Sequence, residues 1–349
     1  MGKKREIYYD ILKTVCVCAV VLLHANATVV WEKDEPFILV IHNLINYLTR
    51  FSVPCFFMIS GAFMMNQSKN MKEILETVIY KLLIPFMVMT VIWMCALLLN
   101  SKGKDLWNNV VKPLLICNYG ALWFIPCICI LYLLTPFFRS LVSLVQPPQY
   151  STILIGYSIW TIFSVMVSDN YAPYSIGAIG MFVVYYLWGG YIYRLEVKKK
   201  SLIICFLLSI VLSIIALYVR IKGFSVYMFD AYKSYFSPAI FAMSMSVFLL
   251  CRYVVQMDRK VNIVIGKVSL LIARYSLYIY LLHRLIVILL VKIFEQYCCF
   301  NTIAFIMIVS VISLLSSLAL GIIWGSIRDV LDSKLRIKVK IKAVVDSVM

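Results

Sequence analysis

Charge is what this 349-residue chain has least of: 14% of it is Asp, Glu, Lys or Arg, and only 16 side chains are acidic. A soluble domain carries about 25% charged residues, so this chain lacks the means to cover itself with a water-facing shell. It has three histidines. No linker, internal repeat or low-complexity tract interrupts it, and the longest polar connections, near 100–118 and 138–150, are too short to fold alone. A separate soluble domain is thereby excluded. The eleven cysteines lie mostly in apolar runs, as do Cys16, Cys18, Cys127 and Cys129, with neither metal-ligand spacing nor a disulfide framework. They behave as small hydrophobes and do not report a redox compartment.

What the chain has instead is apolar length. With 63% hydrophobic residues and a mean hydropathy of +0.93, it reads as an all-α integral membrane protein. About ten transmembrane helices are expected, near 8–29, 36–64, 78–99, 119–137, 151–168, 174–193, 201–220, 234–254, 270–293 and 301–324. They form one polytopic domain over 1–349, with a basic tail at 325–349. Everything functional must therefore lie among the helices.

The net charge of +17 would point to nucleic acid in a soluble protein, but its distribution gives it another meaning. Lys3, Lys4 and Arg5 precede the first span, and Arg194, Lys198, Lys199 and Lys200 follow the sixth. Arg252, Arg259, Lys260 and Lys267 lie between the eighth and ninth, and Arg328, Lys334, Arg336, Lys338, Lys340 and Lys342 close the chain. In a ten-span arrangement all of these fall on one side, so both termini are expected in the cytoplasm, with the loop near Trp31 to Pro36 outside. The basic residues face anionic lipid heads, and no nucleic-acid partner is implied. Lys3-Lys4-Arg5 followed by an apolar stretch and Ala25-Asn26-Ala27 has the form of a cleavable signal, yet Lys13 interrupts it and nine spans follow, so a retained first span is expected. Asn26-Ala27-Thr28 is also a glycosylation sequon on the outer side.

Inside the first span sit Asp10, Lys13 and His24. Lys13 and His24 are eleven residues apart, which returns them to nearly one helix face about 16 Å apart along the axis. An ionisable group at bilayer depth costs at least about 2.5–3.5 kcal/mol unless it is paired or lines a wet cavity. The stripe therefore reads as a lined site.

Further segments line up with it: Arg50-Phe-Ser-Val-Pro54-Cys-Phe-Phe-Met-Ile-Ser60-Gly61, then Leu122-Trp123-Phe124 with Tyr132 and Pro136, then Ser276-Leu-Tyr-Ile-Tyr280-Leu-Leu-His283. In order and spacing, over essentially the whole chain, they resemble the membrane-bound acyltransferase-3 family, and within it the enterobacterial common antigen O-acetyltransferases. The resemblance implies a ten-span enzyme of the plasma (inner) membrane that moves an acyl group, usually acetyl from acetyl-CoA, to a hydroxyl of an envelope glycan or lipid-linked sugar, without a metal. Lys13 stands where the family generally has arginine, and Ala121 where a histidine is frequent. Lys81, ahead of Pro85, fits one of two arginines common before the third span, and Val78 takes the place of its partner.

Acyl transfer needs a base for the hydroxyl proton, a site for an anionic donor, and donors or positive charge where the oxyanion develops. His24 suits the base, because neutral imidazole is tolerable at depth and titrates near neutrality; the plainer reading is a histidine bonded to a neighbouring helix carbonyl. Lys13 and Arg50, with Lys81 and Ser60, are the candidate donor site; alternatively Lys13 snorkels beside Asp10, and Arg50 is an interhelical pair. His283 is a candidate for the oxyanion or the acceptor, or a structural bond. Trp123, Tyr132 and Tyr280 are candidate cavity walls, or packing. Ser60-Gly61 equally suits a close helix contact. His42 matches none of these motifs. Two other classes stay open: a transporter or exporter, since intramembrane charge also marks substrate pathways, and a non-catalytic partner in glycan assembly.

Overall fold

The computed structural model describes residues 6–28, 36–101, 122–167, 176–196, 198–221, 234–257, 261–294 and 302–348. Lys3–Arg5, residues 31–35, Ala121, Arg259 and Lys260 lie outside them. The described residues are mostly helical, with no strand among them. Among the described residues, helices overlap each expected apolar stretch, and six helical segments are long and apolar enough to cross a membrane.

Helix α1 (Ile7–Thr28) is the hub, packed against α2 (Pro36–Thr49), α3 (Ser52–Met65), α10 (Pro238–Met257), α11 (Val261–Phe294) and α12 (Thr302–Leu335). It runs parallel to α11: the Thr14 hydroxyl donates to the Ser269 carbonyl at 3.3 Å, and the His24 ring lies against His283. Helix α12 runs antiparallel to α11, so that Gly325 meets Tyr275, Gly321 meets Tyr278 and the Ser313 hydroxyl reaches the His283 carbonyl. The start of α1 and the end of α12 consequently share one end of the bundle. Small residues carry the α12 contact, with Ser310, Ser313, Ser317, Gly321 and Gly325 all buried at helical spacing. Large apolar side chains on the far faces, such as Ile159, Trp160, Leu207 and Leu315, stay exposed, as a hydrocarbon solvent allows.

The expected second span, 36–64, is two helices. Pro54 has no N–H to give the Arg50 carbonyl, and its ring crowds that carbonyl, so the helix ends at Thr49 and restarts at Ser52. In the first turn of α3 the same missing N–H is harmless. Ser52 Oγ donates to the Thr49 carbonyl at 2.7 Å across the break. Arg50 is thereby placed at a discontinuity deep inside an apolar span.

The third span starts early. Asn70 and Glu73 form a reciprocal capping box that opens α4 (Met71–Thr77), which passes through a π-helical stretch, Val78–Leu83, into α5 (Ile84–Ser101). Lys81 sits in that π-helical stretch, a widened turn common at functional sites. Next come α6 (Phe124–Ser143), α7 (Pro147–Val167), α8 (Ile176–Tyr191) and α9 (Lys199–Ile221). Helices α3 and α8 cross at Gly61 and Gly189: a Cβ built on Gly61 would lie 1.8 Å from the Tyr186 carbonyl oxygen, and one on Gly189 1.8 Å from that of Met58.

The basic tail is ordered structure. Helix α12 continues to Leu335, Arg336 turns the chain at φ 49°, and α13 (Ile337–Val348) returns along α4. The Asp332 carboxylate accepts from the Lys338 backbone N–H at 2.9 Å and pairs with the Lys338 ammonium at 3.2 Å. Lys72 pairs with Asp346 at 3.4 Å, and Val345 is buried beneath. Solvent screens pairs of this kind, so they set register more than stability.

Candidate functional site

Lys13, Ser60, Lys81, Tyr132 and Tyr280, drawn from five segments of the chain, line a single cavity of about 190 Å³. Phe56, Ile59, Phe124 and Ser276 complete most of its wall. Lys13 comes from α1, with its ammonium 4.9 Å from the Phe63 ring centroid, and Lys81 is exposed at the π-helical stretch. Two lysines, two phenols and two serine hydroxyls surround this water-accessible space, a set of groups that would suit an anion carrying an apolar arm. Ser60 faces this cavity while the adjacent Gly61 makes the α8 crossing.

His24 lies about 16 Å further along α1, with its ring 5.1 Å from that of His283 and tilted by 46°. His283 is fully buried, and its Nδ1 lies 3.0 Å from the Ile279 carbonyl oxygen. A carbonyl only accepts, so Nδ1 carries the proton, and the Nε2 of the neutral ring is left as an acceptor. That Nε2 has no hydrogen-bond partner among the described residues. A neutral His283 therefore offers a lone pair, and oxyanion donation would require the doubly protonated ring.

Arg284, beside His283, was not singled out from the sequence. Its Nη1 donates to the His24 carbonyl at 3.3 Å and to the Thr28 hydroxyl, which itself donates to the same carbonyl at 2.7 Å. The guanidinium thus holds the negative C-terminal end of α1. An arginine in an apolar span was the available signal. Arg139 is a second such residue: it donates to the Lys69 carbonyl at 2.6 Å and to the Met64 carbonyl, closing the end of α3.

Arg50 donates from Nε to the Asn46 side-chain oxygen at 2.6 Å and sits 5.4 Å from the Tyr235 ring centroid. Arg50 does not line the Lys13 cavity. Trp123 also lies apart from it, buried among Phe57, Phe182 and Tyr235; its neighbour Phe124 lines the wall instead. Asp10 is buried one turn before Lys13 and accepts the Thr14 hydroxyl at its backbone carbonyl. Asn26 is fully buried, with its amide donating to the His42 carbonyl at 3.0 Å, so the side-chain nitrogen that would carry a glycan is packed against α2. Among the described residues, no group of three or more His, Cys, Asp or Glu is placed to hold a metal.

The model of a family described as an acyltransferase domain matches residues 6–322. The chain belongs to the acyltransferase-3 family. No curated protein and no solved structure matches it. The match covers every residue of the Lys13 cavity and of the histidine pair and ends inside α12, so α13 lies beyond the matched residues while the α4 segment it packs on lies within them. Together with the apolar helices, it makes the protein a multi-pass membrane acyltransferase.

Proposed function

We propose that this acyltransferase moves an acetyl group from acetyl-CoA to a hydroxyl of an envelope glycan or lipid-linked sugar. It does so as a ten-span protein of the plasma membrane with both termini in the cytoplasm, as in the enterobacterial common antigen O-acetyltransferases. The observation that carries this reading is the cavity shared by Lys13 and Lys81 at the end of the bundle where α1 begins, with His24 and His283 beyond it along α1 and α11. Donor phosphates are held at the basic end, where coenzyme A resides, and the thioester reaches outward to the histidines. The acceptor oxygen attacks the thioester carbonyl as His24 takes its proton; the C–O bond forms, the C–S bond breaks, and coenzyme A leaves as a thiolate that is then protonated. Arg50 and Arg284 supply positive charge beside the reacting centre.

Purified protein incubated with radiolabelled acetyl-CoA and candidate envelope glycans tests the reading directly. Label in the glycan supports it, whereas substrate flux into vesicles without acyl transfer would favour an exporter, the other reading to which the helix break at Arg50 lends weight. The donor site has its own test. Lys13→Ala is expected to weaken acetyl-CoA binding by about tenfold or more, since a hydrogen bond to a charged group is worth about 1.5–3 kcal/mol. Lys13→Arg should preserve or improve it through the planar fork. Unchanged affinity in the alanine variant removes Lys13 from the donor site. For topology, reporters fused after Met349 and at Asp34 are expected on opposite sides of the membrane; the same side for both would overturn the ten-span arrangement.

A further inference from the structure

Next to His283 lies a second, drier space. Val17, Val20, Val21, Phe56, Ile279, Tyr280 and His283 enclose a slot too narrow to hold a water molecule. Phe56 and Tyr280 belong to both its wall and that of the Lys13 cavity, so their rings form the partition between the two. The rings meet edge-on at 6.4 Å and 71°, and Phe124 braces both, 5.2 Å from Tyr280 and 6.1 Å from Phe56. The slot's walls are apolar except at Tyr280 and at His283, whose fully buried Nε2 has no hydrogen-bond partner among the described residues. Three valines line one side, stiff at χ1, so that wall cannot easily retreat. Phe56 is only partly buried, whereas the three valines are all buried.

We infer that this slot receives the acyl chain of the donor, and that Phe56 and Val20 set the length it admits. The inference rests on the proposed donor reading: the anionic part occupies the wet cavity, and the acyl end passes the Phe56–Tyr280 partition to lie against the valines. A hydrocarbon tail suits the slot because it leaves no polar atom unpaired against apolar walls. The slot as it stands admits no water-sized group, so the acyl end enters by displacing Phe56, and each further methylene is pressed harder against the valines. One methylene too many in an apolar pocket costs about 10–200-fold in discrimination.

The experiment compares binding of two unreactive thioethers, S-ethyl-CoA and S-butyl-CoA, to the full-length protein in detergent. The parent is expected to bind the butyl compound at least about tenfold more weakly than the ethyl one. Phe56→Ala and, separately, Val20→Ala are expected to remove most of that difference. Val15→Ala, on the exposed face of the same helix, is expected to leave it intact. A parent that binds both compounds equally, or a difference that survives in both slot variants, overturns the slot assignment while leaving the donor reading in place. A parent that binds neither compound removes the donor reading itself. Should Phe56→Ala fail to fold, Phe56→Leu and Val20→Ala carry the same comparison.

Discussion

His24→Ala is expected to lower the acyl-transfer rate by about 10²–10⁴-fold, the range for loss of a positioned acid or base, with little change in expression or donor affinity. Position 24 is suited to that measurement because its structural and chemical roles separate. The helix end is held through the backbone carbonyl of residue 24 by Arg284 and Thr28, and substitution of the side chain leaves that carbonyl in place. Glutamine retains hydrogen-bonding capacity but cannot take a proton at neutral pH, so His24→Gln is expected to fold and bind donor while losing transfer. His42→Ala should leave the rate nearly intact, and His283→Ala should give an intermediate loss, because its Nε2 accepts beside the His24 ring without replacing it. A His24→Gln protein that binds donor and still transfers at the parent rate would sink the assignment of His24 as the base.

Gly61→Ala and Gly189→Ala should be the most damaging of the glycine-to-alanine changes among the described residues. In each case the added Cβ would lie 1.8 Å from a backbone carbonyl oxygen of the opposite helix, an atom that no rotamer change can move. Relief requires α3 and α8 to part along their whole crossing, and overpacking of this kind costs about 1–3 kcal/mol and sometimes more. Thermal unfolding in detergent should show a clear loss of stability for both variants. Gly156→Ala is the internal control: no atom lies within 4 Å of its built Cβ, so it should be neutral or, through helix propensity, slightly stabilising by about 0.5–1 kcal/mol. Equal behaviour of all three would mean that the α3–α8 contact is looser than the geometry requires. The cavity would feel the separation as well, since Ser60 lines it from the residue next to Gly61.

Much of the site could be read from the chain because helix periodicity is local. Lys13 and His24 share a face of α1 by spacing alone, and the cost of an ionisable group in hydrocarbon singles both out; Lys13 lines the cavity, whereas His24 lies against His283. Lys81, Ser60, Tyr132 and Tyr280 were proposed individually from motif resemblance; their meeting around one cavity depends on which faces of α3, α6 and α11 turn toward α1. Arg50 and Trp123 were grouped with them on the same grounds but lie elsewhere, one beside Asn46 and Tyr235 and the other within an aromatic cluster. Motif membership alone did not separate wall from packing, because an apolar span supplies aromatic residues to both.

The sequence by itself determined that this is a helical membrane protein, where its apolar helices lie, and which side chains are too costly to bury without purpose. Those conclusions follow from composition and from 3.6-residue periodicity, which need no partner helix. The sequence also contained the break at Arg50, since Pro54 withholds the N–H that the Arg50 carbonyl needs. Only the tertiary structure decided that His283 faces His24, that Arg284 clasps the end of α1, that α13 folds back on α4, and that Phe56 and Tyr280 divide a wet cavity from a dry slot. These are contacts between residues tens to hundreds of positions apart, set by which small residues let helices approach, and no local pattern encodes the distance between two faces.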